Sequence, residues 1–96
     1  MLYESTKILL GGILHSLEAG DQTKWDDQIE SGKDCLYEMH QMSGPFYRGS
    51  ATSPRHNTNC EKLNRAMPLV NSMLRAIRRR DQATALLSGR AALAAM

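Results

Sequence analysis

Three histidines, two cysteines, an adjacent acidic pair, a glycine pair and a run of arginines are the residues of this sequence whose types could carry chemistry. Nucleophilic or metal catalysis needs His, Cys and carboxylates drawn together. His15, His40 and His56 are widely scattered, and Cys35 and Cys60 lack the close spacing of zinc ligands. Even with His15 and His40 on neighbouring helices, no carboxylate or thiol completes a site. Asp26 and Asp27 stand where a helix begins, so they answer the positive end of its dipole rather than forming a general acid and base pair. Gly11-Gly12 has neither the lysine nor the preceding strand of a phosphate-cradling loop. The chain is therefore expected not to be an enzyme and to use no metal and no cofactor. The two cysteines make no disulfide framework. The first twelve residues carry Glu4 and Lys7 and no signal-cleavage pattern, so reduced thiols in a cytoplasmic protein are the expectation.

Arg75, Arg78, Arg79 and Arg80, with Arg65 and Arg90, form the one basic concentration. The formal net charge of +2 hides an asymmetry. Residues 1–48 hold four Lys/Arg against eight Asp/Glu, and residues 49–96 hold eight against two. Either the two halves pack together and neutralise one another, or the basic half meets an acidic protein or nucleic acid. A reader of DNA normally joins such a run to a helix-turn-helix or to amide side chains at recognition positions, and neither is evident in the sequence.

The elements that must position these residues are helical. Ninety-six residues make one domain. The apolar residues, 42% of the chain, are aliphatic and methionine with few aromatics, which suits helix packing and excludes a β-sandwich. No apolar stretch approaches the roughly 20 residues of a membrane span. From Leu2 to Glu18, Tyr3, Thr6, Leu10, Ile13 and Leu17 share one helical face, and Gly11-Gly12 within it means that either tertiary packing compensates for the two glycines or a neighbouring helix comes unusually close. Gly20 reads as a C-cap and Asp21 as the N-cap of a second helix, Gln22 to Met42, whose inner face carries Trp25, Ile29, Gly32, Leu36 and Met39.

Residues 43–58, with two prolines, two glycines and no period, are expected to form a loop in which Phe46-Tyr47 docks. Thr58 and Glu61 fit a capping box that opens a long third helix, through Leu63, Met67, Val70, Leu74 and Ile77 and on to the small residues of 85–95. Pro68 either kinks that helix or restarts it after Met67. The expected fold is all-α: an antiparallel three-helix bundle made of a helical hairpin and a long third helix. Met73 lies off the main core face, near Leu69 and Leu87. This second apolar strip is either buried by the first two helices or open as a groove for an amphipathic segment.

Trp25-Asp26-Asp27-Gln28-Ile29 opening the second helix, the early proline of the third, and Leu86-Leu87-Ser88-Gly89-Arg90 near its end resemble the FliT family of flagellar type III export chaperones. Trp25, Asp26 and Ile29 match one family signature, and Leu86, Leu87 and Arg90 the other. The resemblance implies a small cytosolic chaperone that binds the C-terminal segment of the filament cap protein, keeps it unpolymerised and delivers it to the export ATPase complex. It also implies restraint of the flagellar master regulator. The partner surface expected on this footing is Leu69, Met73, Leu86, Leu87 and Leu93, with Arg78 and Arg79 as its polar rim. The family carries a further C-terminal helix folded over the binding surface. That helix is expected to be missing here, leaving the small-residue face of 85–95 open to a partner helix or to a second copy in a homodimer. The alternative is a small helical nucleic-acid-binding or transcription-modulating protein that uses Arg75 to Arg80.

Overall fold

α1 (Leu2–Ala19) ends at Gly20, whose φ of 77° is left-handed, and Gly20 N–H closes the turn on Leu17 O at 3.1 Å. Asp21 follows as the cap of a single 3-10 turn (Gln22–Lys24), accepting from Thr23 N–H at 3.1 Å and from the Thr23 hydroxyl at 2.6 Å. α2 (Trp25–Ser43) starts only after that turn. The computed structural model describes residues 2–43 and 54–96, and α3 (Pro54–Arg78) and α4 (Gln82–Ala95) complete it. The expected all-α bundle is what the structure shows. Among the described residues there are four α-helices and no strand.

Each stripe read from the sequence is buried. Leu10, Ile13 and Leu17 of α1, Trp25, Cys35 and Met39 of α2, and Leu63, Val70, Leu74 and Ile77 of α3 share one core. The helices alternate in direction, as their contacts show. The Thr6 hydroxyl near the start of α1 donates to Glu38 Oε2 near the end of α2 at 2.6 Å, and Cys60 Sγ near the start of α3 reaches Met42 O at 3.6 Å. α4 then returns along α1. Gln82 Nε2 donates to Leu17 O, and at the far end the Tyr3 hydroxyl donates to Met96 O, both at 2.6 Å. The four helices therefore close into a ring in which each packs on the next.

Three expectations change. The third helix does not run to the end of the chain: it stops at Arg78, and Arg80 takes a left-handed φ of 60°. Asp81 N–H then bonds Ala76 O at 2.9 Å and Arg80 N–H bonds Ile77 O at 3.0 Å, which is the paired closure of a Schellman motif. Asp81 serves at once as N-cap of α4, accepting from Thr84 N–H at 3.2 Å. The fourth helix expected to be absent is thus formed by residues 82–95.

α3 also begins earlier than expected, at Pro54, so Thr58 lies within it rather than capping it. Proline suits a first helical position because the N–H it lacks has no intrahelical partner there. α3 continues through Pro68, so the restart after Met67 is not adopted. Phe46 and Tyr47 lie outside the described residues.

The glycines divide. A Cβ on Gly32 would collide with Leu74 Cδ2 and stand 3.1 Å from Leu74 Cγ, so glycine there lets α2 and α3 approach closely. Gly11 and Gly12, by contrast, have nothing within 4 Å of a built Cβ, and no neighbour exploits them. Gly11→Ala and Gly12→Ala should therefore each stabilise the protein by about 1 kcal/mol through helix propensity alone. Thermal unfolding should show each as a Tm rise of about 4–8 °C; an unchanged or lower Tm would mean that some contact does require glycine there.

Candidate functional site

The seven residues expected to form a partner surface do not converge on an open groove. Met73 is fully buried, at 0% exposure, while Leu69, Leu86 and Leu93 are half-buried against the core. Only Leu87, at 71%, stands out in solvent, and Arg78 and Arg79 are exposed at the end of α3. The physical reason is the break at Arg80. It folds α4 back as an antiparallel partner of α3, so Met73 is covered by the chain's own C-terminal helix rather than left open, while Leu87 on α4 faces outward.

The same fold-back corrects the expectation for the small-residue face. Ala85, Gly89 and Ala92 are buried, seated over α3 and α1. A Cβ on Gly89 would collide with Leu14 Cδ2 and come within 2.7 Å of Met73 Sδ. Small side chains are what let α4 settle on those two large ones. Gln82, Leu86, Arg90 and Leu93 recur at helical spacing on the flank of α4 that meets α1. There Gln82 bonds Leu17 O, and Arg90 Nη2 pairs with Glu18 Oε1 at 3.1 Å. The face is therefore not available to a second copy while α4 is docked.

The tryptophan of the first signature is a core residue. Trp25 is 1% exposed, and its Nε1–H has no hydrogen-bond partner among the described residues. The Arg80 guanidinium lies 5.8 Å from its ring centroid and pairs with Asp26 Oδ1 at 3.3 Å, so the left-handed turn between α3 and α4 is pinned to the start of α2. The ion pair is exposed and contributes at most about 1 kcal/mol. Arg80–Asp26 and Arg90–Glu18 join the basic half to the acidic half. Arg65, Arg75, Arg78 and Arg79 have no such partner among the described residues. The neutralisation expected between the halves is thus partial.

The remaining candidates come apart. His15 and His40 are exposed on α1 and α2, and no group of three or more His, Cys, Asp or Glu suited to a metal occurs among the described residues. Cys35 and Cys60 are free and buried. Burial, helped by the Glu38 charge, pushes the Cys35 thiol up to about 12, so it stays protonated and unreactive at neutral pH. Among the described residues no helix is long and apolar enough to cross a membrane.

Two features escaped the sequence reading. One is the cap at Asp81, for which the Asp81…Thr84 spacing was the available signal. The other is that Asn64 and Asn71 share the exposed face of α3 with Arg65, Arg75, Arg78 and Arg79. The amides that a basic helix reader would need are therefore present, but only the placement of the core stripe makes them visible as one face. No family model, curated protein or solved structure matches the chain.

Proposed function

We propose that the chain is a helical export chaperone of the FliT kind. In this reading it acts in the cytoplasm, captures the C-terminal segment of the flagellar filament cap protein, holds it unpolymerised and passes it to the export ATPase complex. The same surface restrains the flagellar master regulator. The reading starts from the resemblance of Trp25, Asp26 and Ile29 and of Leu86, Leu87 and Arg90 to the family signatures.

The observation that carries it further is the cover on Met73. α4 sets Gly89 against it, and its other buried positions are Ala85 and Ala92 rather than large side chains. Apolar area sets the strength of such a contact at about 25 cal/mol per Å², so a segment presenting larger side chains competes well for the same place. Once displaced, α4 closes over the incoming helix with Leu86, Leu87 and Leu93, and Arg78 and Arg79 rim it.

Calorimetric titration of the full chain with the cap protein's C-terminal segment tests this. Saturable binding is expected, and Leu86→Asp with Leu87→Asp should abolish it while circular dichroism keeps its helical signal. Leu87→Asp alone, at an exposed position, guards against a loss caused by unfolding and should weaken capture. Absence of binding by the parent chain, or binding untouched in the double variant, would overturn the proposal.

A further inference from the structure

Between Lys62 and Arg80 the sequence contains no carboxylate. The exposed residues over that stretch are Asn64, Arg65, Pro68, Asn71, Arg75, Arg78, Arg79 and Arg80. Residues 64, 68, 71, 75 and 78 recur at steps of four, three, four and three, which is one line along a helix interrupted only by Pro68, and Arg79 and Arg65 lie to one side of it. Arg65, Arg75, Arg78 and Arg79 have no ion pair among the described residues, although the acidic α2 packs beside α3. The C-terminal dipole of α3 favours cations at 75 and 78 but explains neither Arg65 nor the missing carboxylates.

We infer that this outer face binds the phosphate backbone of duplex nucleic acid, an activity separate from segment capture on a surface that meets the capture rim only at Arg78 and Arg79. Two arguments select that ligand over an acidic protein. The first is the absence of an apolar anchor. Among the described residues the large exposed hydrophobic side chains are Ile8 on α1, Tyr37 on α2 and Leu87 on α4, none of them on α3. Protein interfaces are built around an apolar centre, whereas nucleic-acid interfaces are polar and strongly basic. The second is length. From Asn64 to Arg79 the helix rises roughly 22 Å, over which a duplex presents about a dozen phosphate charges. Arg65, Arg75, Arg78 and Arg79 meet phosphates, and Asn64 and Asn71 add uncharged donors along the same line.

Fluorescence anisotropy of the full chain with a random-sequence duplex across a salt series tests the inference. Four phosphate contacts predict a log–log salt slope of about −3.6, or roughly a hundredfold loss of affinity between about 50 and 200 mM salt. Arg65→Ala with Arg75→Ala, both outside the capture rim, should lower the steepness by about 2, with the circular dichroism spectrum unchanged. Arg90→Ala, which removes a cation paired on the other side of the molecule, should leave it as it is. Three results would overturn the inference: no duplex binding at the lowest salt, a slope indifferent to the double substitution, or preference for polyglutamate over duplex at equal charge. The last would assign the face to an acidic protein instead. Segment capture is read by calorimetry on the parent chain and does not involve Arg65 or Arg75, so the two readings fail separately.

Discussion

Trp25→Ala should lower the unfolding free energy by about 3–5 kcal/mol, a large part of the 5–15 kcal/mol usual for a domain. Trp25 is the largest of the fully buried side chains and stands at the first residue of α2, against the turn that joins α3 to α4. Its removal leaves a cavity where three helix ends meet. Trp25→Phe should cost far less, below about 1.5 kcal/mol. The smaller ring still fills much of the site, and the substitution also removes an indole N–H that lacks a partner among the described residues. Leaving such a donor buried costs about 1–3 kcal/mol, which partly offsets the lost volume. Urea unfolding followed by far-UV circular dichroism compares the two variants without relying on the only tryptophan. Equal losses would mean that ring packing is not what Trp25 contributes.

Gly89→Leu should detach α4 while leaving the other three helices folded. A single added methyl meets the flexible tips of Leu14 and Met73, and small shifts of those tips accommodate it. Leucine brings three further carbons into space that both tips already occupy. Overpacking of that kind costs roughly 1–3 kcal/mol, against about 1 kcal/mol gained by removing glycine from a helix. Besides the half-buried Leu86 and Leu93 and the buried Met96, α4 is held by small buried residues, the Gln82 and Tyr3 hydrogen bonds and one exposed ion pair. Amide hydrogen exchange should show α4 losing protection in Gly89→Leu and keeping it in Gly89→Ala. Retained protection in the leucine variant would show that α4 is seated by more than its small face.

The inner faces of α1, α2 and α3 were legible because burial imposes a repeat of 3.6 residues, and Leu10, Ile13, Leu17, Met39, Val70 and Leu74 obey it. The end of α3 was not. Glycine and proline are the usual marks of a break, and here an arginine adopts the left-handed conformation, so the helical pattern reads straight through residue 80. That one misreading carried the site with it. Met73 and the small residues of α4 were assigned to solvent because nothing showed that the two strips face each other. At Gly11 and Gly12 composition left two accounts open, compensation by packing or a close approach, and no neighbouring helix makes the close approach. A short-range preference is readable from type and spacing. Whether a neighbour arrives at that spot depends on the turn that directs it.

The hydrogen bond from Tyr3 to Met96 joins residues 93 positions apart, against 32 for the Thr6–Glu38 bond between α1 and α2. In an unfolded chain, closing the longer loop costs about 1 kcal/mol more, because closure entropy grows with the logarithm of loop length. That penalty disappears once the two hairpins, α1 with α2 and α3 with α4, have docked through α2 and α3, since the two ends are then already neighbours. The Tyr3–Met96 contact is accordingly a late event in folding, made after the chain's topology has been decided by the sequence-local hairpins, and it secures a native arrangement that it does little to nucleate.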